Sequence, residues 1–237
     1  MTGQRSAGTA KKAGGEGRER EWDWEFVQML RRLAGIRRGG DGSETQGRKN
    51  LAAMGALRRG LGRAPGATPQ MYPYVAPYLP PEARPEEEDA YFLIAALFAW
   101  HQIDWAPGEG RKGVETNFGA SFRWLADTMG SEGIERRFVA LLGAQREDLP
   151  EHLRHAVGLL RSKGIAVNWV QLLRDVLRWE QAERVVQSAW ARTYWQASGP
   201  TGARAKGSVP AAGDEGRAAS GERASGENER ERDEHVG

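Results

Sequence analysis

Apolar residues recur along this chain at three- and four-residue intervals, and the polar and glycine-rich stretches between them set the breaks. Trp22, Phe26, Met29, Leu30 and Leu33 mark a first helix that stops before the glycines at 35–42. A second helix is expected from about Gln46 to Leu61, with Met54, Leu57 and Leu61 on one face. Pro65 to Pro85 holds seven prolines and is expected to carry no helical run, because proline lacks the N–H and clashes with the preceding turn. Glu86, Glu87, Glu88 and Asp89 then stand where the positive end of a helix dipole favours carboxylates. Ala90 to Trp100 is apolar almost all round, as a central buried helix would be. After a loop from Asp104 to Thr116, Asn117 is placed to cap a helix through Met129, and Ser131 to cap the next through about Leu142. Pro150 opens a helix to Arg161, and Asn168 caps a last long pattern with a bend near Glu180. No alternating strand pattern stands out, so the fold class is all-α, a helical bundle of about seven to nine helices with disordered termini.

The ends differ in kind from the middle. All nine tryptophans lie between Trp22 and Trp195. Residues 1–20 have no bulky apolar side chain beyond Met1; in 197–237, prolines aside, only Val209 and Val236 are apolar and larger than alanine. Such segments bury too little surface to offset the ordering entropy of the backbone, so both ends are expected to be disordered, the second as a charged tail. The folded domain is expected over 21–196. Cysteine is absent, which excludes disulfides, thiolate metal sites and a cysteine nucleophile. No apolar run approaches the ~20 residues that span a bilayer, and no apolar signal core follows the basic N-terminus. A soluble, cytoplasmic protein without membrane contact is expected.

Net charge is only +2, so any binding of nucleic acid must come from local segregation of charge. Such segregation exists. Between Glu44 and Glu82 no side chain is acidic, while Arg48, Lys49, Arg58, Arg59 and Arg63 fall in the same window. On a helix at about 100° per residue, Arg48, Arg59 and Arg63 lie within about 60° of one another, opposite Met54, Leu57 and Leu61, with Arg58 at the flank. With no carboxylate one turn away, these groups need an anionic partner or open water. A solvated surface helix and a phosphate-gripping stripe both remain open; arginine suits phosphate through its planar fork. A second pair, Arg136 and Arg137, lies in Ile134–Leu142, where Ile134, Phe138, Leu141 and Leu142 define the buried face. Glu135 is either a helix N-terminal charge or a partner of Arg137. Arg123 belongs to the preceding helix. Arg174 and Arg178 have Asp175 and Glu180 close by and read as ordinary surface.

Catalytic chemistry finds little support. His152 and His155 can share one helix face beside Glu151, but no third ligand set with metal spacing follows. Gly108-Glu109-Gly110-Arg111-Lys112-Gly113 matches a dinucleotide fingerprint literally, yet it follows no strand and opens no βαβ unit. Tyr72, Tyr74 and Tyr78 lie just past the basic helix, either to pack the proline-rich loop or to stack on unpaired bases. No catalytic residue, metal or cofactor is expected. Two readings from other classes stay in view: a helical adaptor for an acidic protein partner, and a metal-dependent hydrolase built on His152 and His155.

Five segments in order carry a family resemblance. They are Ala56-Leu57-Arg58-Arg59-Gly60-Leu61-Gly62-Arg63 with its proline-rich sequel, Ala95–Ala99, Asn117–Ser121, Ile134–Leu142, and the Trp169–Trp179 and Trp190–Trp195 pattern. Together they resemble the CasB family, the small subunit of type I-E CRISPR Cascade complexes, over roughly Trp22 to Trp195. The resemblance implies two packed helical subdomains, roughly 21–105 and 117–196, and no catalytic activity. It implies a guide RNA, target and displaced DNA strands, the large and backbone Cascade subunits and a second copy of itself as partners, in antiviral defence. It implies strand contacts that stabilise an R-loop at Arg58, Arg59, Arg63, Arg123, Arg136 and Arg137; Lys49 joins them on charge alone.

Overall fold

The computed structural model describes residues 7–38, 44–105 and 116–196. Nine helices run through them: α1 (Ala7–Ala34), α2 (Leu51–Arg58), α3 (Tyr72–Val75), α4 (Pro85–Trp100), α5 (Phe118–Met129), α6 (Ser131–Gly143), α7 (Leu149–Ser162), α8 (Trp169–Leu177) and α9 (Val185–Gln196). The all-α expectation holds, with one addition: Ile36–Arg38 (β1) and Glu44–Gln46 (β2) pair antiparallel, Ile36 opposite Gln46. The tail at 197–237 and the glycine motif at 108–113 lie outside the described residues. α1 reaches back to Ala7, into a stretch read from composition as tail. No helix among the described residues is long and apolar enough to cross a membrane.

α4 is the axis. Ala90 to Ala99 is buried apart from the half-buried Leu93, and α1, α2, α3, α7 and α8 all pack against it or against one another around it. Its start is fixed as the carboxylates suggested: Pro85 needs no N–H partner at the first position, and the Arg84 backbone N–H donates to the Glu87 carboxylate at 2.9 Å. One hydrophobic cluster extends from Phe26 of α1 through α4 to Tyr194 of α9. On the far side α5 packs on α9 and α6, and Phe138 of α6 stacks on Tyr194 at 4.5 Å and meets Trp195, tilted, at 5.8 Å. The α5–α9 crossing depends on Gly119. A Cβ there would stand 3.0 Å from Trp190 Cα and closer still to its carbonyl oxygen.

Three asparagines set helix starts. Asn117 Oδ1 accepts from the Ala120 N–H at 3.2 Å and Asn168 Oδ1 from the Gln171 N–H at 3.1 Å, as the spacing predicts. Asn50 does the same for Ala53 at 3.0 Å and corrects the second helix: it spans Leu51–Arg58, not 46–61. The proline-rich stretch also departs from expectation. Short helical turns cover Pro69–Tyr78, because each proline sits in the first two positions of its turn, where its missing N–H has no partner to lose. Gly130, at φ +87°, precedes α6 as its cap residue, in place of Ser131. The bend expected near Glu180 is real: α8 ends at Leu177, and Glu183 and Arg184 take positive φ before α9.

Candidate nucleic-acid interface

The shortened α2 rearranges the basic window. Arg48 and Lys49 precede the helix, Arg58 is its last residue, Arg59 its C-cap, and Arg63 belongs to the turn beyond. The helical stripe expected over 48–63 therefore does not form, since the Asn50 cap starts the helix after Arg48 and Gly60 and Gly62 follow its end. Arg58, Arg59 and Arg63 nevertheless converge. With Leu61, Thr68 and Gln70 they line one open concavity of about 490 Å³ that contains no carboxylate. Gly60 makes the turn possible, because a Cβ there would collide with the Met71 sulfur.

Those three arginines are not equivalent. Arg58 donates through Nε and Nη2 to the Ala99 carbonyl, at 3.4 and 3.2 Å. Lys49 donates to Gln102 Oε1 at 2.7 Å, and Gln102 Nε2 donates to the same Ala99 carbonyl at 3.0 Å. Arg161 lies over the Trp100 ring at 5.5 Å. Three cations thus gather at the carboxyl end of α4, where the helix dipole is negative. The anionic partner that the carboxylate gap called for is, for Arg58 and in part for Lys49, the end of a helix. Arg59 and Arg63 are exposed, and their guanidinium groups have no hydrogen-bond or ion-pair partner among the described residues. The buried Thr68 hydroxyl beside them has none there either. His101, which closes α4, holds the Ile165 carbonyl through Nε2 at 2.7 Å, and burial, reinforced by Arg161, pushes its pKa down.

The second arginine group lies on α5 and α6. Arg123 is half-buried and paired with Asp127 at 2.9 Å. The Tyr194 hydroxyl is pushed up by burial and, secondarily, by Glu135 and Asp127, while Arg123 acts to lower it. Glu135 is exposed, and Arg137 donates to the Gly133 carbonyl of its own helix at 2.9 Å instead of pairing with it. Arg136 is exposed, with no partner among the described residues. No described contact joins this group to the α2 concavity. Beside the turn after α2 stands a residue that sequence reasoning missed: Arg154 of α7, whose Cδ and Nε lie 4.0 Å from where a Gly62 Cβ would stand. Nothing in the local sequence marks it, because that proximity is made by the packing of α7 on α4.

Other candidates resolve into structure. Arg174 pairs with buried Asp23 at 3.3 Å and Arg178 with Asp175 at 3.4 Å, so both are neutralised. Burial pushes both carboxyls up; Asp23 is held by the Tyr91 hydroxyl and Asp175 by Trp190 Nε1. Tyr72 packs on Phe92 and Tyr78 on Phe26, which pins the proline-rich segment down. His155 is exposed beside Glu151 at 3.9 Å. Among the described residues no three His, Asp or Glu side chains gather as a metal site.

The family model for CRISPR-associated protein Cse2 matches residues 53–195. The CRISPR-associated protein Cse2 of Thermus thermophilus is 38% identical over 112 residues, which is 47% of this chain and 59% of that one. The crystal structure of CasB from Thermus thermophilus is 34% identical, with a TM-score of 0.58 over 73% of this chain and 97% of that chain. A chain of a CRISPR RNA-guided surveillance complex is 25% identical, with a TM-score of 0.61 over 79% and 99%.

Proposed function

The chain belongs to the CRISPR-associated Cse2 family, and on that premise we propose that it is a non-enzymatic small subunit of an RNA-guided Cascade complex that holds nucleic acid on a basic face. The observation that carries the nucleic-acid part is the concavity after α2, where Arg59 and Arg63, with Arg58 beside them, meet no carboxylate. Arginine contacts to phosphate are blind to sequence, which suits a strand whose sequence is read by pairing with a guide. R-loop formation exchanges one duplex for another of similar stability, so a few modest backbone contacts tip it. Arg59 and Arg63 are the principal contacts with the target or displaced strand. Arg136 is a second contact on α6. Arg58, Lys49, Arg123 and Arg137 contribute charge while held by neighbours. The guide RNA, the large and backbone subunits and a second copy complete the assembly.

The test is capture of the tagged full chain from its own cells, followed by sequencing of the RNA that comes with it. A guide RNA with a repeat-derived handle, together with the other subunits, is the expected result. Capture of an acidic protein alone, undisturbed by unrelated single-stranded DNA, would overturn the reading.

A further inference from the structure

The basic concavity has a neighbour of different character. A second one, of about 310 Å³, lies on the other side of the 60–66 turn, and Leu61 and Arg63 line both. Its floor is apolar, made by Phe92, Leu93 and Ala96 of α4, and its rim carries Glu147, Glu151 and Arg154. Sharing two lining residues sets the two concavities side by side. Leu61 and Arg63 are two residues apart, at most about 7 Å between Cα atoms. Gly62 between them, at φ +71°, adds no side chain.

A phosphate suits the first concavity and not the second, where two exposed carboxylates would repel it. A nucleobase suits the second and gains little from the first. Its faces are apolar, and its edge carries both donors and acceptors. The rim offers the complement of both, because Glu151 accepts and Arg154 donates, 3.5 Å apart. That pairing can meet the edge of any base, so such a seat would be tolerant of sequence.

We propose that the concavity bounded by the 60–66 turn, α4 and α7 seats one unpaired base of a single strand whose backbone phosphate lies at Arg59 and Arg63. The strand crosses the turn at Gly62, with phosphate and base on opposite sides of it. The inference rests on the nucleic-acid reading above and adds a base to what that reading assigns to phosphate alone.

Ala64→Trp tests it. Ala64 is exposed, lines only the second concavity, and an indole there would fill it while Arg59 and Arg63 remain. The probes are a single-stranded DNA oligonucleotide and an abasic oligonucleotide of equal length, titrated against the full chain at low salt. The full chain should bind the base-bearing strand about tenfold more tightly than the abasic one. Ala64→Trp should erase that preference, with abasic affinity and melting temperature unchanged; Arg154→Ala should reduce it. Equal binding of both strands by the unaltered chain overturns the proposal, and so does a preference that survives Ala64→Trp. If Ala64→Trp instead abolishes self-association and leaves strand binding intact, the occupant is a side chain of a second copy, and the base seat is wrong. Failure of the unaltered chain to bind either strand refutes the parent reading and this one with it.

Discussion

Arg58→Ala should lower folding stability, whereas Arg59→Ala combined with Arg63→Ala should lower binding. Arg58 makes two long hydrogen bonds to the Ala99 carbonyl, at 3.4 and 3.2 Å, and stands at the negative end of α4. A charged donor of good geometry contributes roughly 1.5–3 kcal/mol, and a cation at a helix carboxyl end about 0.3–1 kcal/mol. These bonds are long and the side chain is exposed. Gln102 Nε2 also stays on the same carbonyl at 3.0 Å, so nothing is orphaned. The loss should therefore be about 1 kcal/mol, or a melting temperature lower by roughly 2–4 °C in a fold of this size. Arg59 and Arg63 have no described partner to lose, and surface changes of that kind stay within about 0.5 kcal/mol. On single strands each lost phosphate contact flattens the log–log salt dependence by about 0.7, so the double variant should lose about 1.4. Circular-dichroism melts and fluorescence-anisotropy titrations from about 50 to about 200 mM salt measure the two effects separately. A double variant that melts as low as Arg58→Ala and keeps its salt slope would refute the division of roles.

Three further outcomes follow from the packing. Gly119→Ala should destabilise the fold by several kcal/mol, roughly 3 or more, because the new methyl meets the backbone of α9, which cannot move aside as a side chain would; urea unfolding measures it. Trp190→Phe should cost about 1–3 kcal/mol, since buried Asp175 loses its 2.6 Å bond and keeps only Gln171 and Arg178, and the urea midpoint reads the loss. His101 has a folded pKa below its unfolded 6.5, chiefly through burial. Its contribution is complete above that value and is lost as pH falls through 6.5 toward the folded pKa, because the unfolded chain then binds the extra proton. Asp23 and Asp175, both raised, act in the opposite sense as pH rises from 3.8, so a comparison isolates the histidine. The drop in urea midpoint between about pH 7.5 and 5.5 should be smaller in His101→Gln than in the unaltered chain.

What the chain disclosed in advance divides by the range of the forces involved. Local signals were legible: Asn117 and Asn168 as caps, the acidic start of α4, the near-complete burial of Ala90–Ala99. Asn50 is the same kind of cap, yet the apolar spacing 54, 57 and 61 runs on past the helix end at Arg58 and hides how short the helix is. The β1–β2 ladder is three residues a side, too brief for alternation to show. The basic window revealed an imbalance of charge but not its resolution. The Ala99 carbonyl that takes Arg58 lies 41 residues away and exists as a free acceptor only because α4 ends there. Arg123 shows the limit from the other side. Its partner Asp127 is four residues on, whereas the Tyr194 hydroxyl whose surroundings it shares with Glu135 is brought there only by the packing of α9.

The end of α9 carries a practical consequence for anyone labelling this protein. Tyr194 and Trp195 pack on Phe138, and the Tyr194 hydroxyl shares its surroundings with Arg123, Asp127 and Glu135. The last turn of α9 therefore stands beside Arg123 of α5. A dye placed on the last turn of α9 would report on Phe138 of α6 and on Arg123 of α5. The concavity of Arg59 and Arg63 needs its own probe, and exposed Gln70 on its lip is the natural attachment point.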